Sequence, residues 1–173
     1  MVQSMSLVSK PEFAPLLAPG RHRMSMRRLS DICVSAFPTS TNRQPLFQAL
    51  LQLISDLATL NIPCEIWIDG SYLTAKIEPD DIDLSVRFAV EDFDRLDPMV
   101  QNTIMSRLSG KTYHPRLDTY AFVSGPRDHE YADIFAETEN YWAEWWSVAR
   151  AGWLKGVAVV RLGETNVGLR ILS

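Results

Sequence analysis

The sequence predicts a single α+β domain, and three observations carry that reading. Apolar residues recur at three- and four-residue spacings from Leu46 to Leu60. Polar and apolar residues alternate strictly from Asp81 to Phe88. A second helical period runs from Tyr131 to Trp145, after a break at Ser124-Gly125-Pro126. A chain of 173 residues, 46% hydrophobic and 22% charged, has the size and composition of one globular domain, with no room for a second full one. Within it, residues 1–40 read as an N-terminal arm and short helix packing on a main domain of residues 41–173.

Each element has a local cause. Residues 1–20 hold three prolines and a Pro19-Gly20 pair without a sustained period, which predicts an extended arm that packs on the domain or frays. Ser25 or Ser30 can cap a short helix ending before Pro38, and Ser40-Thr41-Asn42 can cap an amphipathic helix running to about Leu60, which Asn61-Ile62-Pro63 stops. Glu65-Ile66-Trp67-Ile68 is β-favouring, and Asp69-Gly70-Ser71 turns out of it into a short helical segment over 72–76. Asp81 to Phe88 is a half-buried strand, with Ile82, Leu84, Val86 and Phe88 on one face and Asp81, Asp83, Ser85 and Arg87 on the other.

Residues 92–109 read as a helix interrupted or started at Pro98 and closed at Gly110, followed by a basic connector and a strand over 117–123. A long helix is expected over about 128–150, with Tyr131, Tyr141, Trp142, Trp145 and Trp146 as its packing face rather than a base-stacking platform. Gly156 to Leu162 reads as a strand, and a short terminal one is expected at 169–172.

Charge is uneven. Residues 1–60 carry six basic and three acidic groups, residues 61–100 three and ten, and residues 101–173 eight and eight, giving the net charge of -4. A chain with pI near 5.4 and no Lys/Arg run longer than a pair lacks the basic face of a duplex-DNA binder. Cys33 and Cys64 have neither CxxC spacing nor a nearby His pair, so buried free thiols are expected rather than a disulfide framework or zinc site. No run of about 18 apolar residues exists and Met1 to Ser6 lacks a signal-like pattern, so a cytoplasmic protein without a membrane partner is expected.

The acidic middle block holds the chemistry. Gly70-Ser71 is followed, after nine residues, by Asp81-Ile82-Asp83 on the polar side of a strand. Carboxylates at i and i+2 point the same way about 7 Å apart, and without a cation they only repel. With Asp69 and Asp80 nearby, an oxygen-only donor set selects Mg²⁺ or Mn²⁺. Gly70 lets backbone approach a phosphate, and Ser71 with the following turn supplies donors.

Trp67-Ile68-Asp69-Gly70-Ser71 followed by Asp81-Ile82-Asp83-Leu84 resembles the nucleotidyltransferase superfamily related to polymerase β. The longer string from Trp67 to Leu84, the upstream Pro19-Gly20-Arg21-His22, and the downstream Tyr141-Trp142 and Lys155-Gly156-Val157 are similar to a family of small uncharacterised bacterial proteins of that superfamily. The resemblance implies a mixed sheet flanked by helices and Mg²⁺-dependent transfer of a nucleoside monophosphate from a nucleoside triphosphate to an unidentified hydroxyl acceptor on protein, RNA or a small molecule. It implies that Asp81 and Asp83 hold the metal and that a third carboxylate joins them. Asp118 is favoured for that place over Asp133, which its helical spacing sets on a helix. Gly70 and Ser71 would hold phosphates, with Lys76 or Arg87 as charge partners. Two alternatives remain open: a catalytically degenerate nucleotide-binding or regulatory protein, such as one component of a toxin-antitoxin or defence system, and an interaction module docking through the tryptophan-rich helix. A homodimer or a partner protein could complete the acceptor site.

Overall fold

The computed structural model describes residues 13–148 and 154–163. Six strands make one mixed sheet: β1 (Gly20–Arg23), β2 (Cys64–Asp69), β3 (Ile82–Ala89), β4 (Ser109–His114), β5 (Leu117–Ser124) and β6 (Gly156–Leu162), in the order β1-β6-β2-β3-β5-β4. β1 runs parallel to β6 and β3 parallel to β5, while the other neighbouring pairs are antiparallel. The helices are α1 (Met26–Ser30), α2 (Arg43–Ala58), α3 (Val90–Phe93), α4 (Pro98–Arg107) and α5 (Ala132–Ser147), with a π-helical turn at Asp31–Ser35 and a 3₁₀ turn at Ser71–Leu73. The domain is α+β, as its patterning predicts, and among the described residues no helix is long and apolar enough to cross a membrane.

The alternation in β3 divides the sheet's faces. Ile82, Leu84, Val86 and Phe88 join Ile66, Ile68, Ala158 and Val160 in a core closed by Leu46, Leu50, Leu53 and Leu57 of α2. Trp67, Phe122, Val157 and Val159 line the opposite face, with Trp142 and Ala143 of α5 packed on them. Ser85, on the polar side of β3, is therefore buried rather than solvated. Both thiols are free and buried, and desolvation pushes each up to about 12, so neither is a nucleophile at neutral pH.

Side chains far apart in sequence tie the loops to these elements. Ser25 caps α1, accepting from the Arg28 N–H at 3.2 Å. The Asn42 side chain makes no capping bond to α2. Instead Glu78 accepts from the N–H groups of Thr41 at 2.8 Å and Asn42 at 3.0 Å, which pins the turn ahead of β3 to the start of α2.

Several expectations change. Residues 20–23 are an edge strand of the sheet, and residues 14–16 pair with the loop at 73–75 through Leu16 N–H to Leu73 O and Ala75 N–H to Ala14 O, both 2.8 Å. Gly156 makes room for this arm: a Cβ there would stand 2.3 Å from the Ala18 carbonyl oxygen. The helix expected over 92–109 is two pieces, the second opened by Asp97 accepting from Met99 N–H at 2.8 Å with Pro98 in its first turn. The basic connector is β4, so Asp118 lies on the second strand after α4 rather than the first. At α5 the aromatic residues divide: Trp142 packs on the sheet, whereas Tyr131, which precedes the helix, and Tyr141 and Trp145 on it are exposed. The expectations for the Trp146 side chain and for a strand at 169–172 lie outside the described residues.

Candidate functional site

Strand register assembles four carboxylates at one end of the sheet. Asp69 ends β2 opposite Asp83 of β3, and Asp83 lies beside Asp118 of β5, so three carboxylates sit at equivalent positions on adjacent strands and share a face. Asp81 stands two residues before Asp83, just ahead of β3. Gly70 follows Asp69 with φ +77, and a Cβ on it would stand 1.8 Å from Asp83 Oδ2. Only glycine allows this turn, both for its backbone conformation and for the carboxylate lying against it. Gly70→Ala is expected to destabilise the protein by about 1–2 kcal/mol in urea denaturation; a variant as stable as the parent would refute this packing.

The cluster is electrostatically strained. Burial, then the charges of Asp81, Asp69 and Asp118, raise the Asp83 carboxyl to about 6, while Lys155 acts in the opposite direction. Asp69 is only 1% exposed. Burial raises its pKa, and Lys155, as charge and as hydrogen-bond donor to Oδ2, with the Gly70 N–H, draws it back down. Among the described residues, Oδ1 of Asp69 is buried without a partner of hydrogen-bonding geometry. Lys111 Nζ donates to Asp81 Oδ2 at 2.6 Å, and that hydrogen bond, with the charges of Asp81, Asp118 and Asp83, holds the ammonium above its usual pKa. Tyr120, two residues along β5 from Asp118, is raised first by burial and then by Asp118 as charge and acceptor.

The two cations expected as phosphate partners are engaged elsewhere. Lys76 Nζ donates to Asp80 at 2.7 Å on an exposed loop. Arg87 shares the Asp83 face of β3 but lies four residues along it, about 13 Å away, within 3.6 Å of Glu65 and 3.7 Å of Glu139. It lines a cavity of about 120 Å³ with Cys64, Glu65 and Arg161. Asp133 is exposed in the first turn of α5. The lysines that do reach the cluster, Lys155 and Lys111, come from β6's leading edge and from β4. The Lys155-Gly156 motif marked the first of them, while no local pattern marked the second.

Arg43 is also absent from any motif, yet it holds the Gly-Ser segment in shape. Fully buried, it donates to the carbonyls of Cys33 at 2.9 Å, Tyr72 at 2.8 Å, Thr74 at 2.7 Å and Lys76 at 2.6 Å. Its guanidinium stacks 3.6 Å from the Phe37 ring centroid.

The donor chemistry suits a hard divalent cation, with only carboxylate oxygens, one of them buried and without a hydrogen bond among the described residues. The side chains do not converge on it: among the described residues no three Asp, Glu, His or Cys groups are arranged to hold a metal ion. Two of the four carboxylates are held by lysines instead. No match to the chain is found among curated proteins or solved structures. The model of a family of unknown function, DUF6932, matches residues 11–161, and the chain belongs to that family.

Proposed function

We propose that this protein is a nucleotidyltransferase-like enzyme that uses Mg²⁺ or Mn²⁺ to transfer a nucleoside monophosphate from a nucleoside triphosphate to a hydroxyl acceptor. The observation that carries the reading is the register of Asp69, Asp83 and Asp118 across β2, β3 and β5, with the Gly70-Ser71 turn packed directly against Asp83. Asp81, Asp83 and Asp118 would hold the metal once Lys111 releases Asp81 and the three side chains turn toward one another, and Asp69, bound to Lys155, fixes the turn beside them. When bound, the cation supplies neutralisation of the charge developing on the phosphates. The acceptor oxygen forms a bond to the α-phosphorus, the bond from that phosphorus to the bridging oxygen breaks, and pyrophosphate leaves. Asp118 takes the acceptor's proton, while Gly70 and Ser71 offer donors to the phosphates.

Incubation with α-labelled nucleoside triphosphates, Mn²⁺ or Mg²⁺ and candidate protein, RNA and small-molecule acceptors tests this. Label on an acceptor is expected from the parent, with a loss of at least about 100-fold in Asp81→Asn/Asp83→Asn. Calorimetry of the same pair with Mn²⁺ and ATP should show binding only to the parent; unchanged binding to the double variant would sink the site. A second reading, nucleotide binding without turnover as in a regulatory or toxin-antitoxin component, is favoured by the lysines on Asp81 and Asp69. Saturable binding without label on any acceptor would select it.

A further inference from the structure

The outer side of α5 carries an aromatic pair that stays more than half exposed. Tyr141 and Trp145 stack on each other, centroids 5.7 Å apart and planes 23° apart, yet they are 52% and 58% exposed. Large exposed rings held face to face offer a flat surface for a further ring.

The course of α5 carries that surface toward the carboxylates. Phe135, near the helix start, lies against Gly125 at the end of the sheet away from the cluster. Glu139 reaches Arg87 along β3. Trp142 then sits over Tyr120 and Phe122 of β5, at 4.8 and 6.3 Å between centroids. Trp145 is about one turn further on, roughly 4.5 Å along the axis. Beyond the helix, Val148 pairs with Leu154, and Lys155 reaches Asp69. The helix thus runs toward the acidic end. Rings continue across it, for Tyr141 meets Trp142 edge to face at 5.2 Å, Trp142 meets Tyr120, and Tyr120 adjoins Asp118.

We propose that Tyr141 and Trp145 form the platform on which the base of the nucleotide stacks while its phosphates lie at the carboxylate cluster. This rests on the nucleotidyltransferase-like reading above and adds where the base is held. Stacking accepts any base because each has a π-face, so the platform gives affinity for nucleotides as a class. α5 carries Asp133, Glu137, Glu139 and Glu144 and no basic residue, which leaves the phosphates to the metal end rather than to the helix.

Two probes separate the base from the phosphates: ATP and inorganic tripolyphosphate, each titrated with Mn²⁺ into the full-length protein by calorimetry. Trp145→Ala and Tyr141→Ala are expected to weaken ATP about 10-fold and to leave tripolyphosphate within about twofold, with Trp145→Phe near the parent. Asp83→Asn should weaken both probes. Equal weakening of both probes in Trp145→Ala, or no weakening of either, overturns the platform while leaving the nucleotide reading in place. A parent that binds neither probe overturns both. A stable dimer by light scattering, with Trp145 shielded from acrylamide quenching, also overturns the platform, because a second copy then covers the rings.

Discussion

Arg43→Met is expected to cost about 2–4 kcal/mol of stability, read as a lower denaturation midpoint at unchanged slope. The guanidinium is fully buried and, among the described residues, pairs with no carboxylate; its donors go to four backbone carbonyls, three of them in the segment that follows Gly70-Ser71. Burial disfavours its charge, and near neutral pH the Glu78 carboxylate acts the other way. Methionine fills a similar volume against Phe37 and Tyr72 but donates nothing, so carbonyls fixed by the surrounding fold lose their partners. Arg43→Lys should fall between parent and methionine variant, since an ammonium is a point donor without the planar fork that spans Cys33, Tyr72, Thr74 and Lys76. The loop carrying Gly70 and Ser71 should also loosen, visible as faster amide exchange over 70–76 in folded Arg43→Lys. A methionine variant within about 1 kcal/mol of the parent would show that the carbonyls find other donors.

The contrast between Arg43 and Asp83 explains what the sequence made legible. Asp83 could be found because β3 alternates, and alternation fixes which side chains share a face before any partner is known. The favoured third carboxylate, Asp118, lies at the register position beside it. Arg43, Lys111 and Lys155 act through contacts with segments tens of residues away, and local spacing carries no record of such contacts. β1 carries no such pattern because an edge strand of Gly20-Arg21-His22-Arg23 buries too little to alternate. Arg21 instead lays its guanidinium 4.1 Å from the Trp67 ring centroid. β4 lacks the pattern similarly, its Ser-Gly-Lys-Thr-Tyr-His being exposed or only partly buried. The α5 aromatics were legible as a helix but not as two stripes, because the period is the same whether a ring meets the sheet, as Trp142 does, or water, as Trp145 does.

Asp83→Asn is expected to stabilise the metal-free protein at pH 7 by about 1–3 kcal/mol. Burial and the neighbouring carboxylates raise the Asp83 carboxyl to about 6, above the usual value of 3.8. A carboxyl raised on folding binds its proton more tightly in the native state. Its folding penalty is absent below the unfolded pKa, grows as pH rises from about 4 to about 6, and is complete above that. Asparagine has no proton to lose and no charge to bring near Asp69, Asp81 and Asp118, so the variant should lack this decline. Denaturation at pH 4, 5, 6 and 7 in chelator reads both the gain at pH 7 and the flattened profile. A variant less stable than the parent at pH 7, or one with an unchanged slope between pH 4 and 6, would mean the carboxylates do not repel as their register implies. Mn²⁺ should then reverse the order. A cation that binds only the folded parent raises its stability by mass action, whereas Asp83→Asn gains nothing from the metal. Stability in chelator and stability in metal would thus move in opposite directions on one substitution, the behaviour of carboxylates gathered for a ligand rather than for the fold.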